Sequence, residues 1–430
     1  MRRHLMLSRS GSVLGRAVAA GAILSGVLLL PAPPVDATTT GPTVIAVHRN
    51  GAVDISGNNT FGSVARMSVP AGNWLITATA TIEPSIYSEL ATYCQLVAGG
   101  DSYSDRTDPT LGGAGSLGAM ELLLAHHFAK KGSVTLQCDS GGWTGEILIR
   151  DVHVTAVQVG QLTNGDVTYG AGSPTAYFAQ SPSTHLYFDS AVHDVQDLSL
   201  PAGTWLVQAA AWGIGFADGD RVDCSLASSS ATADSFIQDF EDIAGSSIGL
   251  EGVVTLSNPD LVSIYCKDTA ADWSTRGSAM SAMKVGTLKY GHIGTTLTTS
   301  GSGSPTVIGA YSDDAGAVST TQSLASIGGV SIPSGSWFVT SHVSLLADSE
   351  VASEVTCQLQ LGGARDQGRV VLDSSNYSIG WLGSSLTKKL SASANAAIAC
   401  NQSNSNYEVL YLHDKIFAIK AGTLTDTVLD

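Results

Sequence analysis

Charged residues are scarce in this chain of 430 residues, and basic ones are the scarcest. Charged side chains make up 13% of the sequence, and 21 Lys and Arg stand against 37 Asp and Glu, which gives a formal net charge of −16. A chain with so few cations is poorly suited to a phosphate backbone or to an anionic membrane surface. We therefore expect no nucleic acid and no anionic membrane among its partners.

Long apolar runs are also missing, except at the amino terminus. Residues 17–30 form an apolar stretch, and small residues lead up to Ala37. Four arginines precede the end of this stretch: Arg2, Arg3, Arg9 and Arg16. The pattern predicts a signal peptide over residues 1–37, too short and wrongly flanked for a spanning helix, with cleavage after Ala37. Removing its four Arg and one Asp changes the net charge from −16 to −19. Export by the Sec or the Tat route stays open.

Helical periodicity is absent from the rest of the sequence, and a repeated motif stands in its place. Pro-x-Gly-x-Trp occurs at residues 70–74, 201–205 and 333–337, with the tryptophans 131 and 132 residues apart. Pro restricts φ and Gly tolerates positive φ, so the motif predicts a tight turn. Apolar residues then alternate along a strand, which predicts core anchors at its head rather than exposed stacking platforms. These anchors are Trp74, Trp205 and Trp337.

Cysteine is limited to six residues, two in each copy of the repeat. Each shares a strand face with apolar neighbours, so both members of a pair should point into one core. An exported chain meets an oxidising environment, which favours disulfides. A thiolate metal site is not expected, because no CxxC or histidine accompanies the cysteines. The predicted bonds are Cys94–Cys138, Cys224–Cys266 and Cys357–Cys400.

Many short strands separated by turn signals predict an all-β fold of three tandem antiparallel β-sandwich domains. The predicted copies are residues 41–162, 173–288 and 304–424. Polar, Gly-rich linkers separate them at 163–172 and 289–303, and a tail without an apolar membrane anchor follows at 425–430. Residues 115–130 are the one place where a helix is conceivable, but their counterparts predict a strand.

The order of short motifs separates this domain from an immunoglobulin sandwich, which would place a Trp between its two Cys. Here a Gly-x-Trp strand comes first, a Val-x-Leu type strand comes late, and a closing strand contains Gly-x-Leu. The matches are residues 72–74, 134–136 and 160–162, then 203–205, 262–264 and 286–288, then 335–337 and 422–424. This outline resembles the C1q/TNF-like jelly roll, although the cysteine pair departs from that family's usual pattern. The resemblance implies a jelly-roll sandwich that acts by binding, associates as a trimer and binds through variable loops.

Two motifs suggest chemistry at first sight. Residues 245–249 match Gly-x-Ser-x-Gly with Ser247 as the serine, but a nucleophile elbow needs a helix after it and residues 250–256 predict a strand. His126 and His127 are neighbours on a strand, so their side chains point to opposite faces and cannot chelate one ion. We expect catalysis or metal binding at neither place.

Acidic side chains occupy a predicted loop in each copy. Carboxylates on loops can hold Ca²⁺, and Asp218 and Asp220 are the weak calcium candidates. The spacing differs between copies, which favours a solvated acidic loop and no cofactor. The counterparts are Glu83, Glu89, Asp348 and Glu350.

Two classes of function remain. We favour a secreted, extracellular, non-catalytic binding or structural protein whose ligand is an extracellular protein or a glycan. The alternative is a secreted carbohydrate-active enzyme or a carbohydrate-binding accessory protein. The enzyme would need paired carboxylates. The best candidates for such a pair are Asp239, Glu241 and Asp242.

The three copies could form an intrachain trimer with pseudo-threefold symmetry or a rod of beads. We favour the pseudo-trimer, because tandem copies of a trimer-forming domain could build the trimer within one chain. Its interface would bury outward apolar side chains, of which copy 2 supplies candidates and copy 1 polar counterparts. These residues are Tyr177, Phe178, Tyr187 and Phe188, against Thr77, Thr79 and Thr81.

Overall fold

The computed structural model describes residues 41–429, apart from 58, 85–91, 108–116, 142–144, 182–185, 188–190, 215–219, 229–230, 241–244, 269–273, 313–314, 319–322, 348–352, 373–378 and 404–407. Regular structure in this part of the chain consists of β-strands, as the sequence predicts. No helix there is long and apolar enough to cross a membrane.

The strands follow the three copies of the repeat. The first copy contains β1 (Thr43–Arg49), β2 (Val53–Asp54), β3 (Gly62–Val69), β4 (Gly72–Pro84), β5 (Thr92–Ala98), β6 (Asp101–Thr107), β7 (Gly118–Phe128), β8 (Gly132–Asp139) and β9 (Ile147–Val159). A hairpin of β10 (Gln161–Asn164) and β11 (Val167–Gly170) follows it.

The second copy contains β12 (Thr175–Ser181), β13 (Leu186–Tyr187), β14 (His193–Leu200), β15 (Gly203–Ile214), β16 (Asp220–Ser228), β17 (Ala231–Phe240), β18 (Gly245–Leu256), β19 (Asp260–Asp268) and β20 (Ser274–Lys284). A second hairpin follows, made of β21 (Thr287–His292) and β22 (Thr298–Gly301).

The third copy contains β23 (Thr306–Ser312), β24 (Gly316–Ala317), β25 (Ala325–Ile332), β26 (Gly335–Ala347), β27 (Ser353–Leu361), β28 (Ala364–Leu372), β29 (Ile379–Leu390), β30 (Ala394–Gln402) and β31 (Val409–Ala421). The last strand is β32 (Thr423–Leu429). Residues 118–128, where a helix was conceivable, form strand β7, in agreement with the sequence prediction.

The Pro-x-Gly-x-Trp motif forms the same turn in every copy. The indole Nε1 of Trp74 donates a hydrogen bond to the carbonyl of Pro70 at 3.1 Å, and the other two copies repeat the bond at 3.0 and 2.9 Å. Gly72 has a φ of 143°, a value that residues with a side chain rarely adopt. The three rings head β4, β15 and β26 and are almost completely buried, at 0%, 1% and 1% exposure.

Each copy is a jelly roll of eight main strands. In the first copy one sheet has the order β1-β9-β4-β7 and the other has the order β3-β8-β5-β6. Counted without the short β2, the first main strand, β1, lies beside the last, β9, and the second, β3, lies beside the seventh, β8. This is the strand order of two interlocked Greek keys. The same orders recur as β12-β20-β15-β18 with β14-β19-β16-β17, and as β23-β31-β26-β29 with β25-β30-β27-β28.

The disulfides lie within the second sheet of each copy. Cys94 is directly opposite Cys138 on neighbouring strands, and the Cα atoms of the three pairs are 4.0, 4.1 and 4.1 Å apart. The bonded pairs are those that the repeated spacing predicts, and all six sulfur-bearing residues are buried. Three disulfides in one chain indicate an oxidising environment.

The closing segment of each copy crosses to a different copy. Strand β10 pairs in parallel with β12, β21 pairs in parallel with β23, and β32 pairs in parallel with β1. Each first sheet thus gains an edge strand from the end of another repeat, and the last strand of the chain joins the first. The sequence predicts the closing segment of copy 1, residues 156–162, as one strand; the structure divides it at Gly160.

Glycine permits this crossing, because two backbones touch there. A Cβ atom at Gly160 would lie 2.6 Å from the backbone of Gly172, and one at Gly286 would lie 2.5 Å from Gly303. Leu162, two residues further on, is fully buried. The Gly-x-Leu motif therefore encodes a close backbone crossing followed by an apolar anchor.

The segments between the predicted copies are more ordered than linkers. Residues 163–172 and 289–303 contribute the hairpin strands β11 and β22, and the predicted tail, 425–430, lies largely in β32. The boundaries of the copies stay a prediction, but these connecting segments belong to the sheets.

The core of the first copy extends into the other two copies. One cluster of buried residues contains most of the core of the first copy together with side chains from the other two, and the second and third copies also have clusters of their own. Equivalent residues meet in a small cavity of about 20 Å³, to which each copy contributes the residue after its motif tryptophan, namely Leu75, Leu206 and Phe338. The described residues between 41 and 429 form one compact unit.

Candidate functional site at the junction of the repeats

The serine of the Gly-x-Ser-x-Gly match is a contact between repeats. Ser247 lies on β18 with strand on its carboxyl side, so the elbow geometry is absent, as predicted. It is fully buried and its hydroxyl donates a hydrogen bond to Asp105 Oδ2 of the first copy at 2.5 Å. Its carbonyl accepts a bond of 2.6 Å from Trp381 Nε1 of the third copy. One residue of copy 2 therefore contacts both of the other copies.

Gly249, the last residue of the same Gly-x-Ser-x-Gly match, leaves no room for a side chain. A Cβ atom at Gly249 would lie 2.2 Å from the carboxylate of Glu121 and 3.1 Å from the ring of Trp381. The carboxylate of Glu121 is 3.0 Å from Nε2 of His342 in the third copy. Glycine thus lets side chains of the first and third copies meet over a strand of the second.

Glu251 completes this buried polar cluster. It accepts hydrogen bonds from Gln208 of its own copy at 2.9 Å and from the hydroxyl of Thr340 in the third copy at 2.7 Å. We call Asp105, Glu121, Ser247, Glu251 and His342 the central polar cluster. It joins all three copies by hydrogen bonds and by the contact between Glu121 and His342, and its members are buried or nearly so.

Burial raises the pKa of two carboxyls in the central polar cluster, Glu251 and Asp105. It raises the pKa of Glu251 to about 7, although His342 and the Thr340 hydroxyl both lower it. It also raises the pKa of Asp105 well above its usual range, against hydrogen bonds from Ser247 and the Arg106 backbone. Both carboxyls therefore bind a proton more readily than they would in water.

A groove opens between the first and third copies. It encloses about 160 Å³ and is lined on one side by β1, β9 and β32 and on the other by β28 and β29. His48 contacts Asp426 on β32 at 3.1 Å, and His153 Nε2 contacts Asp366 on β28 at 2.5 Å. The two imidazole rings stack with centroids 5.4 Å apart. We call this feature the histidine groove.

The histidine groove is partly open to solvent. The side chains of His48 and Asp426 are 22% and 33% exposed, whereas His153 and Asp366 are almost buried. The hydrogen bond that His48 donates to Asp426 raises the pKa of His48, against burial, which lowers it. Burial raises the pKa of Asp426, but hydrogen bonds from His48 and Thr387 outweigh this and lower it overall. The two groups therefore favour the ion pair.

The remaining candidate ligands from the sequence are not brought together. His126 contacts Asp101, while His127 contacts Asn73 at 2.7 Å and stacks on Tyr169, so the neighbours point apart as predicted. Glu83, assigned to an acidic loop, instead lies on β4 and pairs with Arg150 at 2.5 Å. No group of three or more His, Cys, Asp or Glu in the described residues could hold a metal ion.

Several predicted residues lie outside the described part of the chain. This holds for Glu89, Asp218, Glu241, Asp242, Asp348, Glu350 and Phe188, and for the side chains of Tyr187, Asp220 and Asp239. The calcium candidates and the carboxylate pair of the enzyme alternative stay sequence predictions.

The predicted interface aromatics of copy 2 divide between the two faces of the sheet. Phe178 is buried in the apolar cluster that side chains of all three copies share. The prediction that Tyr177 lies at the interface between copies was wrong, because its side chain points into its own sandwich. There it packs edge-on against Trp205, with ring centroids 5.4 Å apart. In copy 1, Thr77 lines the small shared cavity, so a polar side chain does contribute to these contacts, and Thr81 is buried.

The sequence-based search missed the central polar cluster and the histidine groove. Both combine residues from different copies, such as Glu121 with His342 and His48 with Asp426, which are far apart in the chain. The sequence signal that could have pointed to these two sites is a polar residue in one copy where the aligned residues of the other copies differ.

Comparison with known proteins identifies no family for this chain. No family model and no curated protein matches the chain. Among solved structures it is similar to the triple jelly-roll protein of an archaeal virus, at 10% identity over 89% of this chain and 92% of that one, with a TM-score of 0.20. A particle derived from infectious bursal virus matches at 7% identity, 85% and 80% coverage, and a TM-score of 0.22.

A tandem CBM22 domain of Paenibacillus barcinonensis Xyn10C matches at 10% identity over 55% of this chain and 93% of that one, with a TM-score of 0.17. TM-scores of this size carry no argument about function. The jelly-roll fold follows from the strand order described above.

Proposed function

We propose that the chain is an exported, non-catalytic binding or structural protein in which three C1q/TNF-like jelly-roll repeats form an intrachain pseudo-trimer. The observation that carries the proposal is the cyclic exchange of edge strands, in which β32 at the end of the chain pairs with β1 at its beginning. A rod of beads would leave the first and last repeats apart.

Two further features support this arrangement. The small shared cavity is lined by equivalent residues of the three copies, and the central polar cluster links them by direct hydrogen bonds. A trimeric binding domain presents three sets of loops on one rigid body, so a fused trimer would be active without association. The three disulfides and the predicted signal peptide support action outside the cell.

Small-angle scattering of the chain beginning at Thr38 tests the arrangement. A pseudo-trimer should have a radius of gyration of roughly 21 Å, the expectation for a single globule of this length. A separate measurement of mass in solution must show a monomer, because an intermolecular trimer would be larger. A radius well above about 30 Å with an elongated distance distribution would reject the pseudo-trimer.

A further inference from the structure

The histidine groove lies at Ala46 on β1, and this position has an equivalent in each of the other two copies. In each copy the first strand lies between the closing strand and the strand that arrives from another repeat. The paired residues at this level are Thr155–Ala46–Asp426, Ser281–Phe178–Asn164 and Phe417–Gly309–Tyr290. The strand registers therefore provide two internal controls for the groove.

In both controls an aromatic ring fills this place. Phe178 is buried in copy 2. In copy 3, Phe417 is fully buried and Tyr290 stacks on it at 6.1 Å, over a glycine that leaves room for both rings. In copy 1 the small side chains of Ala46 and Thr155 leave the histidine groove instead. The groove thus lies at the one of these three equivalent positions that no aromatic ring fills.

The chemistry of the histidine groove favours a neutral, hydroxylated ligand. An anion would face the carboxylate of Asp426. A cation would face the exposed guanidinium of Arg365, beside an Asp426 that His48 already engages. Hydroxyl groups, in contrast, can donate to the free lone pairs of Asp426 and accept from Arg365.

Apolar surface is available in the histidine groove for the remainder of such a ligand. Ala46, Ala364 and Leu386 line it together with the polar groups. The groove therefore offers both apolar surface and converging polar groups, the two components from which small-molecule sites are built. A sugar ring presents the complementary combination, with carbon-bound hydrogens on its faces and hydroxyls at its rim.

We propose that the histidine groove binds one neutral sugar ring of an extracellular glycan. This rests on the proposed function of a binding protein and specifies its ligand class and its site. The groove places Asp426 and Arg365 for the hydroxyls, and the space that Phe178 occupies in copy 2 accommodates the ring.

Saturation-transfer NMR on the chain beginning at Thr38 tests the site. The probes are the methyl glycosides of glucose, galactose and mannose, with glucuronate, glucosamine and glycine as charged or zwitterionic controls. We expect transfer to at least one neutral glycoside, and titration calorimetry should then show binding at least about tenfold weaker in Ala46→Phe. That variant places in copy 1 the residue that copy 2 carries at this position.

Two variants keep the test independent of folding defects. Arg365→Ala removes an exposed side chain and should weaken binding several-fold at an unchanged melting temperature. Thr427→Ala, on the opposite face of β32 from Asp426, should bind like the wild type. If Ala46→Phe unfolds the chain, Arg365→Ala decides the result.

Three outcomes would overturn the proposal: no transfer to any neutral glycoside, tighter binding of a charged probe, or unchanged binding in both groove variants. Glycan binding that persists in these variants would place the ligand elsewhere and leave the proposed function intact. Failure of the pseudo-trimer itself would show in the scattering experiment, which uses no ligand.

Discussion

Buried carboxylates at the junction are costly, and their positions suggest why they are there. Removing a carboxylate from water costs several kcal/mol unless partners compensate for it. Glu251 and Asp105 have hydrogen-bond partners in other copies, Thr340 and Ser247 respectively. Such bonds form only when the copies meet in one register. Their contribution is therefore to specificity of the arrangement more than to net stability.

Titration of Glu251 should make the chain less stable as pH rises. Its pKa is about 7 in the fold, compared with 4.5 for the free side chain. The folded state therefore holds a proton that the unfolded state loses, so the stabilisation is complete below pH 4.5 and is lost as pH rises through 7. A shift of this size corresponds to roughly 3 kcal/mol.

Substituting Glu251→Gln should remove that dependence, because the amide does not titrate: its oxygen can accept from Gln208 and its NH2 group can donate to the Thr340 hydroxyl. Urea unfolding at pH 5 and pH 8 measures it. We expect the variant to lose less stability than the wild type between these values, by up to roughly 3 kcal/mol. Asp194→Asn on the exposed face of β14 should follow the wild type. Equal pH dependence in all three proteins would contradict the assignment.

The Gly-x-Ser-x-Gly match shows how far the sequence could go at the scale of residues. The strand after Ser247 was predictable from the alternation of residues 250–256, and it correctly argued against a nucleophile elbow. The actual role of Ser247 was not predictable, because its partner Asp105 lies 142 residues away in another copy. A local sequence pattern indicates whether a segment forms a strand. Contacts between copies depend instead on how whole sheets pack against one another.

At the scale of elements, the repeat, the tryptophan strand and the jelly-roll outline were accessible from the sequence. The exchange of edge strands was not. Leu162 continues the apolar pattern of the closing strand, so nothing local shows that the chain joins the next copy after Gly160. The polar segment 163–172 also lacks a clear strand pattern, yet it supplies β11 to the same sheet.

Strand β32 should stabilise the chain by covering the edge of β1. Ending the chain at Gly422 would expose the unpaired backbone groups of β1, which invite pairing with another molecule. We expect a lower melting temperature and self-association, measured by calorimetry and light scattering.

The matched control for the truncation is Thr425→Ala with Thr427→Ala, which keeps the backbone of β32 and changes only exposed side chains. It should remain a monomer with nearly the original melting temperature. A truncated chain that stays monomeric and melts with the full chain would show that β32 is dispensable.

For the whole molecule, the shared interior predicts that the three copies unfold together. The largest apolar cluster contains side chains of every copy, and each first sheet includes a strand from another repeat. Independent beads would share no apolar cluster and would unfold in separate transitions. Here, weakening one copy removes packing partners from the other two.

Trp205→Ala tests this cooperativity. The fully buried ring heads β15 in copy 2, and its loss should cost roughly 3–5 kcal/mol. We expect one calorimetric transition, shifted as a whole to lower temperature, and faster hydrogen exchange in copies 1 and 3 as well as in copy 2. Trp205→Phe keeps a ring but loses the hydrogen bond to Pro201, so it should cost only about 1 kcal/mol beyond any repacking. Two separate transitions, with copies 1 and 3 exchanging at the wild-type rate, would mean that the copies are independent domains and that the contacts across the junction contribute little to stability.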